Sequence, residues 1–389
     1  MDFNKKAPVL ITCGRGLVPF LKAEVEAAGF SVDSEHDTGL TLTGTLTDTM
    51  RLNLKLRTAF NVLYQLDHFD CTDTEHLYRL IGRFPWENVV PPDGYLSVVS
   101  QASTQAIDNT MFLNQKVKDA IVDRLRKVNG KRPDAGPDRD RTVINVYWNR
   151  DKVWVYANTS GEKLSDRSYR KLPYKAPLQE SLAAAILLAA GYSGEQPLVN
   201  PMCGSGTLAI EAALIATGRA PGLLRSNFGI KHLVGFDSDM WDELRKQIRK
   251  EGGKDLKFPI IATDIDKQAI AAARKNAQTA GVDQLIEFSV CDFADTPLPS
   301  NPGLIVMNPE YGMRLGEIRE LEGTYKRIGD FFKQKAAGWR GCLFTGNLEL
   351  AKRIGLRTSR RIPMFNADIE CRLLCYEMYE GTRKTKNPS

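Results

Sequence analysis

The sequence is poor in the residues that build secreted and metal-bound proteins. It contains only four histidines and seven cysteines, and the cysteines are scattered without the spacing of a disulfide framework. This usage is typical of a reducing cytoplasm, and it predicts no metal site. No apolar run reaches the roughly 18 residues of a membrane span, and the N-terminus lacks an apolar stretch with a cleavage site. We therefore expect a cytoplasmic protein without a membrane segment or a signal peptide.

The composition is that of a globular protein with a localised positive charge. Hydrophobic residues make up 42% and charged residues 26% of the 389 residues, which excludes a disordered or fibrous chain. At about 100–200 residues per domain, this length predicts two or three domains. Of the net charge of +6, residues 161–175 carry +3 and residues 351–389 carry +5, offset by −2 in between. Such clustering indicates a polyanionic partner, although a solvated linker and tail would show the same charge.

The N-terminal half predicts two α+β domains. In residues 1–69, two helices against a small antiparallel sheet are expected, which is a ferredoxin-like arrangement. Its predicted elements are a strand (Val9–Thr12), a helix (Leu17–Ala28), a hairpin (Ser31–Glu35 with Leu40–Thr43) and a second helix (Thr47–Leu66). Residues 70–160 open with a polar, irregular stretch, and strands are expected at Tyr95–Ser100, Thr142–Trp148 and Lys152–Asn158. Residues 161–176 form a basic linker.

Residues 177–389 predict a Rossmann-like, doubly wound α/β domain with an antiparallel edge. Helices alternate with short apolar strands, as in a buried parallel sheet. The expected parallel strands are Pro197–Asn200, Phe258–Thr263, Ile286–Val290, Leu304–Met307 and Gly341–Thr345, and the edge strands are Arg357–Ile362 and Glu370–Tyr379.

A glycine-rich turn, VNPMCGSGT at residues 199–207, follows the first of these strands and opens a helix. Glycines let a ligand approach the backbone, and the helix N-terminus offers free N–H groups. The turn has no lysine after Gly206, so it is not a phosphate-binding P-loop, and it supplies only half of a dinucleotide fingerprint. It therefore suits a nucleoside that carries a carboxylate or ammonium group.

Two carboxylates follow the next two strands. Asp264 is placed to accept hydrogen bonds from the hydroxyls of a ribose, whereas Asp266 is expected to cap the helix that begins at Lys267. Asp292 is placed to accept a hydrogen bond from the amino group of an adenine. Asp237 lies in a similar pattern, but we set it aside because no suitable amphipathic helix follows it directly.

The fourth feature is the box Asn308-Pro309-Glu310-Tyr311, which follows the strand Leu304–Met307. The glycine-rich turn, the two carboxylates and this box all follow parallel strands. Because ligands of doubly wound sheets bind at the carboxyl ends of the strands, we expect all four to meet in one cleft.

These motifs resemble those of a known family. NPMCGSGT, ATDID, CDF and NPEYG, in this order, are similar to motifs of class I S-adenosylmethionine-dependent methyltransferases. NPEYG resembles the Asn/Asp-Pro-Pro-Tyr/Phe box of enzymes that methylate exocyclic or amide nitrogens. The whole chain resembles the large-subunit ribosomal RNA guanine-N2 methyltransferases with an N-terminal THUMP domain. The matching stretches are ITCGRGL, RSYR, KAPLQESLAAAILLAAG, NPMCGSGTLAIEAALIA, APGLLR, ATDIDKQAIAAARKNAQTAGV, NPEYGMRLGE and NADIECRLLCYE.

The resemblance implies a methyl transfer from S-adenosylmethionine to the N2 amine of a guanine in 23S ribosomal RNA, with S-adenosylhomocysteine as product. The RNA partner would be 23S RNA or a ribosomal subunit precursor, and residues 70–160 would be the RNA-binding THUMP domain. Some family members carry a second methyltransferase at the C-terminus. Because this chain stops at residue 389, only the guanine-N2 activity is expected.

The resemblance also assigns residues. Asn308, Pro309 and Tyr311 would be catalytic, the first two accepting hydrogen bonds from the amine while the ring of Tyr311 stacks on the flipped base. The cofactor would be bound by Asn200, Pro201, Cys203, Gly204, Ser205, Gly206, Thr207, Asp264, Ile265, Asp292 and Asn308. RNA contacts are expected from Arg167, Tyr169 and Arg170 in the linker, and the basic C-terminal stretch adds Arg360 and Arg361.

Two departures from the family pattern keep alternatives open. Glu310 replaces the second proline of the box, and the linker reads SDRSYR where HKRGYR is usual. The same box serves DNA adenine-N6 and protein glutamine-N5 methyltransferases, but the RNA-binding N-terminal half disfavours them. A transfer RNA guanine-N2 methyltransferase and a non-catalytic RNA-binding ribosome-assembly factor remain as alternatives.

Overall fold

The computed structural model describes residues 1–107, 109–172, 174, 177–312 and 315–379, and for residues 315–318 only the backbone. Linker residues 173, 175 and 176 and residues 380–389 of the expected methyltransferase domain lie outside the described residues. None of the helices in the described part of the chain has both the length and the apolar character needed to cross a bilayer. The chain divides into two compact units, which are Met1–Cys13, Leu21–Ser165 and Pro221–Arg249, and Gly14–Phe20, Asp166–Ala220 and Lys250–Ser389.

Strands and helices are numbered here along the chain. The strands are β1 (Ala7–Cys13), β2 (Ser34–His36), β3 (Gly39–Gly44), β4 (Ala59–Asp70), β5 (Tyr95–Ser103), β6 (Asp134–Ala135), β7 (Thr142–Asn149), β8 (Lys152–Asn158), β9 (Leu198–Pro201), β10 (Ile260–Asp264), β11 (Ile286–Val290), β12 (Leu304–Met307), β13 (Arg340–Thr345), β14 (Arg360–Asn366) and β15 (Ile369–Glu377). The helices are α1 (Val18–Ala27), α2 (Leu46–Lys55), α3 (Thr74–Arg83), α4 (Thr110–Asn129), α5 (Glu180–Ala189), α6 (Thr207–Ala216), α7 (Ser238–Glu251), α8 (Lys267–Ala280), α9 (Leu315–Lys335) and α10 (Leu348–Lys352).

The first unit is built on one eight-stranded sheet with the order β2-β3-β1-β4-β8-β7-β5-β6. Strand β4 pairs with β1 on one side and with β8 on the other, both antiparallel. Among the described strands of this sheet, the β5–β7 and β5–β6 pairs are the parallel ones. The two α+β segments expected from the sequence therefore share a continuous sheet.

The predicted helix over Thr47–Leu66 is wrong in its second half. Helix α2 begins with a capping box, in which Thr45 Oγ1 accepts from the Asp48 amide at 3.0 Å, and it ends at Lys55. Three residues later the chain enters β4, whose 12 residues lie at the centre of the sheet. Apolar residues such as Val62 and Leu63 are fully buried there, so pairing with β1 and β8 determines the strand. The stretch after Asp70, expected to be irregular, contains α3, capped by Asp73.

The second unit is built on a seven-stranded sheet with the order β11-β10-β9-β12-β13-β15-β14. The first five of these strands are parallel, and β15 and β14 add an antiparallel edge. The expected doubly wound fold with an antiparallel edge is confirmed. The strand order reverses between β9 and β12, which is the switch point where ligands bind in such sheets.

Residues 221–249 interrupt the second unit in sequence and belong to the first. An ideal Cβ on Gly222 would lie 2.6 Å from the carbonyl oxygen of Asn53, so only glycine fits at this approach. The Arg225 guanidinium donates to the backbone carbonyls of Ser160, Glu162 and Lys163 at 2.9–3.2 Å. From the sequence alone, this segment is expected to belong to the domain of residues 177–389. The sequence predicts no suitable amphipathic helix directly after Asp237, but α7 begins at Ser238, and Asp237 caps it by accepting from the Asp239 amide at 2.9 Å.

Candidate functional site

The glycine-rich turn joins β9 to α6 in a conformation with positive φ angles. Met202, Gly204 and Gly206 have φ of 56°, 54° and 83°. An ideal Cβ on Gly206 would lie 2.9 Å from the Cβ of Ala273 in α8, so this glycine is required by helix packing. An ideal Cβ on Gly204 has no described heavy atom within 4 Å. The open side of the turn is therefore at Gly204, whereas a side chain at Gly206 would meet α8.

Asp264 connects the turn to the end of β10. Its Oδ2 accepts from the Gly204 amide at 3.0 Å and its Oδ1 accepts from the Asp266 amide at 3.0 Å. The Asp266 side chain caps α8 by accepting from the Gln268 amide at 2.7 Å, as the sequence predicted. The next side chain, Ile265, is 70% exposed. A carboxylate and an apolar side chain thus stand beside the open side of the turn.

Asp292 follows β11 but already has strong partners. Its Oδ1 accepts from the Ala294 amide at 2.9 Å and from the Arg327 guanidinium at 2.7 Å. Burial alone would raise the pKa of Asp292, but these hydrogen bonds and the charges of Arg327 and Lys335 outweigh it and lower the pKa. The carboxylate is therefore held ionised, with one oxygen engaged.

The box after β12 is braced by hydrogen bonds. The Tyr311 hydroxyl donates to Asn308 Oδ1 at 2.6 Å, and the Tyr311 ring packs edge-on against Phe344, with centroids 6.3 Å apart. Burial is the main cause that raises the pKa of Tyr311, so its hydroxyl stays protonated. The Asn347 side chain donates to the Tyr311 carbonyl at 2.9 Å. The expectation that Tyr311 acts through its ring leaves out the hydrogen bond from its hydroxyl to Asn308.

Glu310 is exposed, and its backbone takes part in the packing of the box. Its carbonyl accepts from the Tyr325 hydroxyl at 3.1 Å, and the same hydroxyl lies 2.9 Å from Thr345 Oγ1. Tyr325 in α9 is fully buried. The bend of the box is therefore fixed from α9 and β13.

Asn200 ties the turn to the neighbouring strand. Its Nδ2 donates to the Val306 carbonyl in β12 at 2.8 Å, and the residue is fully buried. Its Oδ1 has no hydrogen-bond partner among the described residues. Cys203 is also buried, and burial, followed by the charge of Asp264, raises the pKa of its thiol. This thiol is therefore unsuited to act as a nucleophile.

The linker residues expected to touch RNA are held inside the second unit. Arg167 and Tyr169 are each 1% exposed. Arg167 Nε lies 3.5 Å from Glu211 Oε1, and the Tyr169 hydroxyl donates to the same oxygen at 3.2 Å. The expectation that Arg167 and Tyr169 contact RNA is corrected, because buried side chains cannot reach a phosphate.

The other three arginines that were expected to contact RNA differ in their exposure and in their partners. Arg170 pairs with Glu180 at 2.9 Å and donates to the hydroxyls of Ser205 and Thr207, so it braces the turn. Arg360 and Arg361 in β14 are exposed. Only these two remain available to an anionic partner.

Four residues that stabilise the site are not among those that the sequence predicts. They are Glu211, Asn276, Tyr325 and Arg327. Glu211 carried a signal, because a lone carboxylate in the apolar run TLAIEAALIA indicates a buried partner. No cluster of three potential metal ligands occurs in the described part of the chain.

Three family models match the chain in succession. They are described as the RlmL ferredoxin-like domain (residues 9–63), the THUMP domain (residues 71–158) and the RMKL-like methyltransferase domain (residues 167–374).

Individual proteins are similar over nearly the whole chain. The ribosomal RNA large subunit methyltransferase K/L of Syntrophotalea carbinolica is 38% identical, over 95% of this chain and 53% of its own length. A putative RNA methyltransferase of Synechocystis is 34% identical, over 96% of this chain and 97% of its own length. The chain thus spans about half the length of the K/L relatives it matches. Among solved structures, the crystal structure of SMU.472, a putative methyltransferase complexed with SAH, matches with a TM-score of 0.87. The match covers 97% of this chain and 100% of that chain, and at 24% identity it shows the same fold.

Proposed function

Because the chain belongs to the RMKL-like methyltransferase family, we propose that it transfers a methyl group from S-adenosylmethionine to the N2 amine of a guanine in 23S ribosomal RNA. S-adenosylhomocysteine is the second product. The substrate is structured RNA, either 23S RNA or a precursor of the large subunit, and the reaction belongs in the cytoplasm, where ribosomes are assembled.

One observation carries the proposal. The glycine-rich turn at the end of β9, Asp264 at the end of β10 and the Asn308 box after β12 meet at the carboxyl edge of one sheet, at its switch point. The Asp264 carboxylate is bonded to the turn, and Asn200 joins the turn to β12. A nucleoside ligand beside the turn would therefore lie next to the Asn308 box.

The residues fit S-adenosylmethionine. The open side of Gly204 leaves space against the backbone, and the unpartnered Oδ1 of buried Asn200 is an acceptor suited to the ammonium group of the methionine part. Asp264 offers oxygens to the ribose hydroxyls, and exposed Ile265 offers an apolar surface to the adenine. The remaining candidates for the cofactor, carried over from the family resemblance, are Pro201, Cys203, Ser205, Gly206, Thr207 and Asp292.

The chain's own residues must orient a weak nucleophile. S-adenosylmethionine, when bound, supplies an electrophilic methyl group on a sulfonium leaving group. The lone pair of the guanine amine is delocalised into the ring, so the amine needs acceptors that draw its nitrogen toward tetrahedral geometry. Asn308 Oδ1 and the Pro309 carbonyl are such acceptors, and positioning of this kind supplies most of the catalysis. Asn308 cannot take a proton, so the proton leaves to water after transfer.

Transfer of a labelled methyl group tests the class of RNA. Purified protein is incubated with labelled S-adenosylmethionine and RNA from a strain that lacks the gene, and 23S and transfer RNA are separated before counting. We expect label in the 23S fraction. Label confined to transfer RNA would support the transfer RNA alternative, and no label in any fraction would support a non-catalytic assembly factor.

Asn308→Ala is the matched variant for this experiment. Loss of a preorganised acceptor costs about 3–4 kcal/mol in the transition state, which is roughly a hundred- to thousand-fold in rate. Cofactor affinity, measured by calorimetry, should stay nearly unchanged, because Asn308 acts on the amine. Full turnover in Asn308→Ala would exclude the box as the catalytic element.

A further inference from the structure

The glycine-rich turn holds one residue, Met202, in a backbone conformation that its residue type does not favour. Met202, Gly204 and Gly206 all have positive φ, and Met202 is not a glycine. A non-glycine residue persists in this region only where the surroundings over-determine it. Contacts from outside the turn must therefore stabilise its shape.

Asn276 in α8 supplies one set of these contacts. It is 1% exposed, and both polar atoms of its side chain bind backbone groups. Its Oδ1 accepts from the amides of Lys171 and Leu172 at 3.0 and 3.1 Å. Its Nδ2 donates to the carbonyls of Leu172 and Ser205, each at 3.1 Å. The side-chain amide of Asn276 thus connects the linker backbone to the glycine-rich turn.

Arg170 supplies the second set. Its guanidinium donates to Ser205 Oγ at 3.3 Å and to Thr207 Oγ1 at 3.2 Å. It also donates to the Leu178 carbonyl at 2.7 Å and pairs with Glu180 at 2.9 Å. Ser205 is therefore held at its carbonyl by Asn276 and at its hydroxyl by Arg170.

The segment that carries these contacts is itself anchored. Arg167 and Tyr169 bind Glu211 of α6, and all three side chains are buried. The positive charges of Arg167 and Arg170 thus meet Glu211 and Glu180 within the second unit. We call residues 167–172 the linker strap.

We propose that the linker strap is part of the cofactor site, and that Asn276 and Arg170 are positioning residues that set the shape of the glycine-rich turn. S-adenosylmethionine affinity then depends on a segment expected to bind RNA. The coupling is reciprocal, so bound cofactor must also stabilise the strap. This inference rests on the proposed function, because it takes the turn as the cofactor site.

Asn276→Ala tests the strap through cofactor affinity. We expect the Kd for S-adenosylmethionine, measured by calorimetry on the full chain, to rise about tenfold, which corresponds to about 1.4 kcal/mol. The KM for the cofactor should rise in parallel, while kcat at saturating cofactor stays near the wild-type value. A purely structural defect would lower the active fraction and kcat instead.

Asn53→Ala is the matched control. Asn53 is also a fully buried asparagine, and it bonds the Thr49 carbonyl, Thr159 and Ser160, all within the first unit. Its replacement removes a comparable set of buried hydrogen bonds, so it should lower thermal stability while leaving the cofactor Kd unchanged.

Hydrogen exchange supplies an independent readout. In the wild type, cofactor should slow exchange of the Lys171 and Leu172 amides, because both donate to Asn276. Asn276→Ala should remove that protection. Exchange at these amides that is the same with and without bound cofactor would overturn the reciprocal coupling.

The outcomes separate this inference from the proposed function. A wild-type protein that binds no S-adenosylmethionine would overturn the proposed function. A wild-type protein that binds it, with an Asn276→Ala variant that binds equally tightly, would overturn the strap and leave the proposed function standing. If Asn276→Ala does not fold, Arg170→Gln is measured in the same way, and an unchanged Kd in that variant overturns the strap.

Discussion

At the scale of single residues, the Asn308–Tyr311 hydrogen bond decides how the acceptor for the amine is oriented. A carboxamide oxygen has two lone pairs, so Asn308 Oδ1 can accept from the Tyr311 hydroxyl and from a guanine amine together. The hydroxyl fixes the side-chain torsion of Asn308 before the substrate arrives. Preorganisation of this kind lowers the barrier, because no reorientation is needed during the reaction.

Tyr311→Phe tests this role of the hydroxyl. The sequence alone predicts that the variant keeps most of its activity, but the structure predicts a loss. Removing one hydrogen bond of about 1 kcal/mol should lower kcat roughly fivefold, with unchanged cofactor affinity. Tyr64→Phe is the control, because the Tyr64 hydroxyl donates to the Lys5 carbonyl within the first unit. Equal kcat in Tyr311→Phe and wild type would show that only the ring matters.

At the scale of elements, the two glycines of the glycine-rich turn have different structural roles. Gly206 lets α6 approach α8, whereas Gly204 leaves the open side of the turn. The two positions share a positive φ, so a side chain is strained at either one. They differ in what the side chain would meet.

Gly204→Val and Gly206→Val should therefore separate binding from stability. Gly204→Val is expected to abolish cofactor binding with a modest loss of thermal stability, because its side chain points into open space beside the turn. Gly206→Val is expected to lose substantially more stability, because its Cβ collides with Ala273. Thermal unfolding and calorimetry measure the two effects. Cofactor binding by Gly204→Val at wild-type strength would contradict this placement of the ligand.

Elements with local signals could be predicted from the sequence. Helix α8 was expected at Lys267–Ala280 and lies there, because Asp266 caps its start and Gly281 closes its end. Strands β11 and β12 also match, because a short apolar run between turns marks a buried parallel strand. Strand β4 could not be predicted, because its partners β1 and β8 are remote in sequence and the local pattern also suits a helix.

The same distinction between local and remote sequence signals applies to the candidate site. The glycine-rich turn, Asp264 and the Asn308 box were visible as motifs, because each is a short stretch after a strand. The contacts that hold them were not visible, since Asn276 lies 71 positions from Ser205 and Arg167 lies 44 positions from Glu211 in the numbering. A basic linker next to a methyltransferase motif suggests RNA contact, and only the fold shows that its arginines meet buried carboxylates.

At the scale of the whole molecule, less of the positive charge in the two basic stretches is available to a partner than the sequence suggests. In the 161–175 stretch, Arg167 and Arg170 are paired with Glu211 and Glu180 inside the second unit. In the 351–389 stretch, Arg360 and Arg361 are exposed on the edge strand β14. The described charge available to RNA in these two stretches is therefore weighted toward the C-terminal one.

Replacing Arg360 and Arg361 together with alanine should weaken RNA binding and flatten its salt dependence. At about 0.7–0.9 per phosphate contact, the slope of log Kd against log salt should fall by about 1.4–1.8, not by the larger amount that four contacts would give. Arg167→Ala should leave the slope unchanged and lower the free energy of unfolding by about 3–5 kcal/mol, because Glu211 loses its buried partner. A flatter slope in Arg167→Ala would restore the linker as an RNA contact.

The most direct test of the central claim is the identity of the methylated nucleoside. Ribosomal RNA from a strain that lacks the gene is methylated in vitro with labelled S-adenosylmethionine, digested to nucleosides and separated by chromatography with mass spectrometry. The account predicts that the label appears in N2-methylguanosine, and that Asn308→Ala, with its cofactor affinity intact, reduces it about a hundred- to thousand-fold. Label in a methylated adenosine, or in a guanosine methylated at another atom, would contradict the account.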